Sequence, residues 1–238
     1  MIEFLAKNFN FITYGLEFLA ALTGIICLKN YINSSTKYFI FFLIYIFIIE
    51  VLGASLVYYP DFYPVYLIRR IGFQMTNWYN IFWFFGSIVF VLYYFYSLLQ
   101  LKQNKFIIKI VGILFSVIML GHFIIYFDVF MSSHPKLYQF LGLLATFISI
   151  ALYFIEFLKS DSMLNVFKTF GFYASIGLFL WWLIITPVIF FDFYNTEADW
   201  HFVNLKRLIF LFANAFMYST FTFALMYCKP ENRGGTVN

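Results

Sequence analysis

The chain has 238 residues, of which 63% are hydrophobic and 11% are charged, and its mean hydropathy is +0.86. Soluble domains carry about 25% charged residues and keep their apolar residues on one face of each element, so this composition excludes an ordinary soluble domain. The net charge of +4 is explained by cations retained on one side of a membrane. Without a basic arm or an aromatic-basic groove, nucleic-acid binding is not expected.

Seven apolar segments follow one another along the chain, each long enough at 1.5 Å per residue to cross a hydrocarbon core of about 30 Å. They are predicted at residues 8–28, 37–58, 77–99, 106–127, 137–158, 165–191 and 203–227. The linkers between them leave no room for a soluble domain. The predicted fold is therefore an all-α integral membrane protein, a single domain over residues 1–238 with seven transmembrane helices.

The first segment is expected to be a retained helix and not a cleaved signal peptide. Residues 1–10 contain one lysine and one glutamate instead of a basic region, and Glu17 interrupts the apolar stretch that a signal peptide requires.

The distribution of cations predicts the orientation, because lysine and arginine are retained on the cytoplasmic side during insertion. Nine cations fall on one side of the predicted bundle and six on the other. The nine are Lys29, Lys37, Lys102, Lys105, Lys109, Lys159, Lys168, Lys229 and Arg233, and the six are Lys7, Arg69, Arg70, Lys136, Lys206 and Arg207. We therefore expect the N-terminus outside and the C-terminus in the cytoplasm, in the cell (inner or plasma) membrane.

The longest loop, residues 59–76, is expected on the external side. It contains Pro60 and Pro64 followed by Arg69 and Arg70. Adjacent arginines exclude an eighth span, and they favour an interfacial helix with the guanidinium groups among lipid headgroups over a ligand-binding loop.

Few residues suggest metal, redox or hydrolytic chemistry. Cys27 and Cys228 are isolated and are expected to be free thiols, and His122, His134 and His201 fall on three separate segments. The motifs HExxH and GxSxG and a glycine-rich phosphate loop are absent from the sequence. We expect no cofactor, no metal site and no catalytic residue set.

Two carboxyl groups fall within the apolar segments, where a central charge costs about 2.5 to 3.5 kcal/mol even on insertion scales. Glu17 lies nine residues from the predicted external end of the first segment, and Glu50 lies eight from that of the second. Helices joined by a short linker are antiparallel neighbours, so the carboxyls can share a layer about 12 to 14 Å deep. There they would not both ionise, and at least one is expected to hold a proton or await a cation.

Four further polar residues are predicted at similar or shallower depth on other helices: Asn80 in the third segment, His122 in the fourth, and Arg207 and Asn214 in the seventh. If they converge with the glutamates, the bundle contains an outward-facing acidic cavity. In that cavity Arg207 would be the counter-ion of a glutamate and His122 could titrate.

Each of these residues also has a structural interpretation. Glu17 and Glu50 could be protonated and hydrogen-bonded between helices, His122 could be a packing residue, and Arg207 could extend to the membrane surface. Glu156 is expected to reach the cytoplasmic interface and is not included in the predicted site.

The starts of the first three and the last three segments are related by a constant offset of about 128 residues. With the fourth segment as a linker, this spacing is that of the three-plus-one-plus-three plan found in parallel-repeat transporters. The residues themselves show little identity between the halves.

Three functions are compatible with these residues. The favoured one is a bundle that binds, transports or senses a small molecule or ion, because paired intramembrane acids without a nucleophile or metal set suit proton coupling. The alternatives are a membrane-embedded enzyme acting on lipid, with a glutamate as general base, and a structural subunit of a larger membrane complex. The expected partners are the lipid bilayer, a proton or small-molecule ligand, and a membrane or cytoplasmic protein.

Overall fold

The computed structural model describes residues 2–159, 166–191 and 200–230, and these residues form helices without any β-strand. Within these described residues, seven helices are long and apolar enough to cross a membrane. They are α1 (Phe9–Tyr31), α2 (Thr36–Tyr58), α3 (Met75–Leu98), α4 (Lys102–Ile125), α5 (Lys136–Leu158), α6 (Phe170–Phe191) and α7 (Trp200–Tyr227). The prediction of seven apolar helices of membrane-spanning length is confirmed, and such helices are typical of a multi-pass membrane protein. The predicted start of the sixth at residue 165 lies outside the described residues.

The two ends of the bundle differ in their cations. Among the described residues, the cation-rich end carries Lys29, Lys37, Lys102, Lys105, Lys109, Lys159, Lys168 and Lys229, and the cation-poor end carries Lys7, Arg69, Arg70, Lys136, Lys206 and Arg207. Helices α1, α3, α5 and α7 begin at the cation-poor end, and α2, α4 and α6 begin at the cation-rich end. Three short helices complete the described part of the cation-poor end: Ile2–Lys7, Tyr63–Arg70 and Phe127–Ser132. The second has Pro64 in its first turn and exposes Arg69 and Arg70 in its last turn, as the interfacial-helix prediction requires.

Six of the long helices pack in a closed ring. Its order is α1, α2, α3, α5, α6 and α7, and α7 returns to pack against α1. Helix α4 packs against α3 and α5 outside this ring, and only Ile108, Phe115 and Met119 of α4 are buried. The two halves in the chain, α1–α3 and α5–α7, thus lie side by side with α4 as a peripheral linker. A true internal repeat remains a prediction.

Aromatic side chains fill the ring near the cation-rich end. The ring of Phe39 on α2 lies 4.9 Å from the rings of Tyr94 and Phe221 and 5.1 Å from that of Phe170. All four side chains are fully buried. Their edge-to-face contacts hold α2, α3, α6 and α7 together.

Helix α3 spans the segment predicted at residues 77–99, but it is not a uniform α-helix. Residues Tyr79–Phe85 form a π-helix between two α-helical stretches. The Tyr45 hydroxyl of α2 donates a hydrogen bond to the Phe82 carbonyl within this π segment. Glycine at position 86 permits the approach, because a Cβ there would lie only 2.0 Å from the Tyr45 oxygen.

Glu156 was expected to reach the interface at the cation-rich end, and the structure shows its hydrogen-bond partners there. Its carboxylate accepts hydrogen bonds from the backbone N–H groups of Gln100 and Leu101 and from the Asn104 side chain. These groups lie at the N-terminus of α4, where the helix dipole favours an anion. Glu156 therefore ties the end of α5 to the α3–α4 turn.

Candidate functional site

Glu17 lies on the buried face of α1, with only 3% of its surface exposed. One carboxyl oxygen, Oε1, accepts a hydrogen bond of 3.1 Å from the Tyr218 hydroxyl of α7. The other, Oε2, is buried and has no hydrogen-bond partner among the described residues. A fully ionised carboxylate in this position would leave buried negative charge uncompensated.

Glu50 of α2 faces the same place from the neighbouring helix. It is partly buried, and its Oε2 accepts a hydrogen bond from the Tyr79 hydroxyl of α3. The buried indole N–H of Trp83 lies near this carboxyl, although no described acceptor is in hydrogen-bonding geometry with it.

The two carboxyls lie at the same level of the bundle. Glu17 lies eight residues from the start of α1 at Phe9, and Glu50 lies eight residues from the end of α2 at Tyr58. Their charges are within electrostatic range of each other. Because α1 and α2 are antiparallel neighbours in the ring, equal distances from one end place the carboxyls at equal depth.

A third tyrosine completes the group. The Tyr14 side chain of α1 adjoins Tyr79 and lies within electrostatic range of both glutamates. We call Glu17, Glu50, Tyr14, Tyr79 and Tyr218 the carboxyl cluster. Three phenolic hydroxyls from three helices thus surround two carboxyls from two helices.

Gly53 provides the space that Tyr79 occupies beside Glu50. It lies one turn after Glu50 on α2, and a Cβ at this position would lie 2.9 Å from the Tyr79 ring. No L side chain at position 53 could fit without displacing that ring. The close approach of α2 and α3 at this glycine therefore positions the Tyr79 hydroxyl.

Asn214, one of the predicted site residues, lies next to the carboxyl cluster. It precedes Tyr218 by one turn of α7, and its Oδ1 accepts a hydrogen bond of 2.6 Å from the Trp181 indole N–H of α6. The Trp181 ring in turn lies 6.1 Å from the ring of Trp83. Through Asn214, Trp181 and Trp83, α7 is thus connected by way of α6 to α3 beside the carboxyl cluster.

Asn80 was expected to contribute to the same cavity, and the structure places it elsewhere. Its side chain is fully buried and donates hydrogen bonds to the backbone carbonyls of Phe130 (2.7 Å) and Ser133 (2.8 Å). Its Oδ1 lies 2.8 Å from Nδ1 of His134. The amide nitrogen and oxygen of Asn80 thus both bond to residues 130–134. Asn80 therefore holds the segment between α4 and α5 against α3.

His122 also lies apart from the glutamates. Its Nδ1 is 2.7 Å from the Tyr138 hydroxyl, and its ring packs against those of Tyr138 and Tyr126. Phe130 contacts Tyr138 as well, with ring centroids 5.8 Å apart. His122 therefore belongs with Asn80 to the packing around the α4–α5 connection, in agreement with its structural interpretation.

Arg207 does not act as a counter-ion of either glutamate. It makes no hydrogen bond or ion pair with Glu17 or Glu50, both of which the structure describes. It lies eleven residues, or about 16 Å, before Tyr218 along α7, which is too far to reach the carboxyl cluster. Tyrosine hydroxyls, and not a cation, are the described groups that bond to the glutamates.

Four aromatic residues at the site were not predicted from the sequence: Tyr14, Tyr79, Tyr218 and Trp83. Aromatic residues make up 26% of the chain, so these four were not distinguishable from lipid-facing ones by residue type. One signal was present: Tyr14 precedes Glu17 by three residues and lies on the same helical face. The partners on α3 and α7 depend on the order of the ring, which the sequence does not specify.

The chemistry available at this site is that of weak acids. The described residues include no group of three or more His, Cys, Asp or Glu side chains that could hold a metal ion. A proton on Glu17 would neutralise one charge of the pair and give Oε2 a hydrogen to donate. Comparison of the whole chain with protein-family models, with curated proteins and with solved structures finds no match.

Proposed function

We propose that this membrane protein binds a proton at the Glu17–Glu50 pair and couples it to the transport or sensing of a small molecule or ion. The observation that carries the proposal is the buried Oε2 of Glu17, which has no hydrogen-bond partner in the described part of the chain and lies within electrostatic range of a second carboxyl. Intramembrane acids that face a bundle interior commonly serve proton relays and ion pathways.

A proton fits this site better than a larger ligand. Glu17 is almost completely enclosed, and Tyr218 and Tyr79 already occupy one oxygen of each carboxyl. A proton needs no additional volume, whereas an organic cation would have to displace tyrosine side chains. The solute that is transported or sensed would therefore bind beside the cluster and not between the two carboxyls.

The proposed orientation places the cation-rich end in the cytoplasm and the N-terminus outside, in the cell membrane. The carboxyl pair would then lie in the outer half of the bilayer, while the aromatic contacts around Phe39 would close the ring on the cytoplasmic side. This arrangement would let protons reach the pair from outside.

Proton binding is tested first on the purified full chain. After a pH step from about 9 to about 5, we expect the wild-type protein to take up about one more proton per chain than Glu17→Gln/Glu50→Gln, because one carboxyl of the pair is neutral throughout and the other gains its proton over this range. Glu3→Gln is the matched control, because it removes a carboxyl from an exposed position on the short Ile2–Lys7 helix.

Coupling is tested in liposomes with an imposed pH gradient and a panel of small solutes. We expect solute-dependent proton flux with the wild type and Glu3→Gln, and the flux of protein-free liposomes with Glu17→Gln or Glu50→Gln. Equal proton uptake by wild type and double variant would refute proton binding. Uptake without flux for any solute would favour sensing, and altered lipid extracts would favour the lipid enzyme.

A further inference from the structure

Four consecutive residues of α3 make polar contacts with different parts of the structure. The Asn77 side chain accepts a hydrogen bond from the backbone N–H of Gln74 and donates one to the Gly72 carbonyl. Trp78 donates to the Ile49 carbonyl of α2. Tyr79 and Asn80 make the contacts with Glu50 and with residues 130–134, so this short stretch joins the carboxyl cluster to the cation-poor end.

The Tyr79 and Asn80 contacts lie at the start of the π-helix. A π-helix carries more residues in a turn than an α-helix does, and such segments are often found at functional sites. If the segment relaxed to an α-helix, the residues before it would rotate by about 100° relative to those after it. Tyr79 and Asn80 would then leave their partners together.

Resting on the proposed function, we infer that Tyr79 and Asn80 couple the two sites: the ionisation state of Glu50 controls whether the Phe127–Ser132 helix stays clamped to α3. An ionised Glu50 accepts a charge-assisted hydrogen bond from Tyr79, which holds the π-helix in place. A proton on Glu50 weakens that bond and allows the π segment to relax. Asn80 then loses the Phe130 and Ser133 carbonyls, and the short helix is held less firmly, by its contacts with Asn77, Phe123 and Tyr138.

Several other groups titrate or carry charge near these contacts. Those that face Glu50 are Glu17 and Tyr14 on α1, Tyr79 on α3 and, beyond Glu17, Tyr218 on α7. Around the clamped helix they are His134, His122 on α4, Tyr138 on α5 and Asp128. His134 requires its own control, because it contacts Asn80 directly.

Amide hydrogen exchange in the purified full chain tests the coupling. The quantity measured is the protection of the Phe127–Ser132 helix divided by that of the Tyr63–Arg70 helix, which is a short helix at the same end without an Asn80 contact. The ratio cancels the intrinsic effect of pH on exchange. Asn80→Ala gives the value for a released helix.

In the wild type we expect the ratio to fall roughly fivefold from high to low pH. This is the change in protection that corresponds to losing the net contribution of about one hydrogen bond. Glu50→Gln and Tyr79→Phe should show the low ratio at every pH. His134→Asn keeps a donor near Asn80 and cannot titrate, so it should retain the wild-type pH response.

A pH response that survives in Tyr79→Phe, or that disappears in His134→Asn, would overturn the inference. So would a constant wild-type ratio in protein whose proton uptake depends on the glutamates, and this result would leave the proposed function standing. Absence of that uptake would instead reject the proposed function and the coupling together.

Discussion

Gly53 shows how one missing side chain positions a functional contact. Substitution by alanine would place a Cβ 2.9 Å from the Tyr79 ring, so the ring must move away from Glu50. We expect Gly53→Ala to behave like Tyr79→Phe, with a clamped helix that is poorly protected at every pH. Gly15→Ala on α1 is the control, because a Cβ at position 15 meets nothing within 4 Å. Wild-type exchange in Gly53→Ala would contradict this role.

The lowered pKa of His134 predicts a separate effect of pH on the stability of the protein. Packing on one side of its ring lowers its pKa from the ordinary value of 6.5, although its other side is exposed. As the pH falls below about 6.5, the unfolded chain takes up this proton before the folded one does. The titration of His134 therefore lowers the free energy of unfolding slightly as the pH falls below about 6.5, and it has no such effect above that pH.

The measurement is the difference in melting temperature between wild type and His134→Asn in detergent at pH 7.5 and pH 5.5. We expect the difference to shift in favour of the variant at the lower pH. An equal difference at both values would show that His134 titrates alike in the folded and unfolded chains.

At the scale of helices, Glu156 fixes how α3, α4 and α5 are held together at the cation-rich end. Its carboxylate compensates the N-terminal dipole of α4 and accepts two backbone N–H groups. We expect Glu156→Gln to lower the free energy of unfolding by about 1 kcal/mol, because the hydrogen bonds lose their charge assistance. Proton uptake should be unchanged. Thermal denaturation measures the first effect, with Glu3→Gln as the control.

The helices were more predictable from the sequence than the site. Apolar length alone specified seven spans, and the equal depth of Glu17 and Glu50 followed from a short linker between antiparallel helices. The positions of Asn80 and Arg207 could not be predicted, because they depend on the π segment of α3 and on the distance along α7. Depth in the membrane constrains one coordinate of a residue, whereas packing decides which way its side chain faces.

For the whole molecule, the order of the ring explains why the carboxyl cluster draws on α1, α2, α3 and α7. Helices α1 and α2 supply the acids, and each acid bonds to a tyrosine from the next helix around the ring: Glu17 to α7 and Glu50 to α3. Because the two carboxyls also lie within electrostatic range of each other, a change in the charge of either one affects the contacts with both α3 and α7. Helix α4, outside the ring, packs against α3 and α5, and the connection from α4 to α5 bonds to Asn80, which follows Tyr79 of the cluster.

The orientation of the molecule decides from which side protons reach that cluster, and it can be measured in intact cells. The background variant carries Cys27→Ala and Cys228→Ala, which remove the native thiols. A single cysteine is then introduced by Asp61→Cys at the cation-poor end or by Gln103→Cys at the cation-rich end, and both positions are exposed. With the N-terminus outside, a membrane-impermeant maleimide should label the cysteine at position 61 in intact cells and the one at position 103 only after lysis. The opposite pattern would reverse the orientation and place the carboxyl pair nearer the cytoplasm, so that the bundle would respond to internal and not external pH.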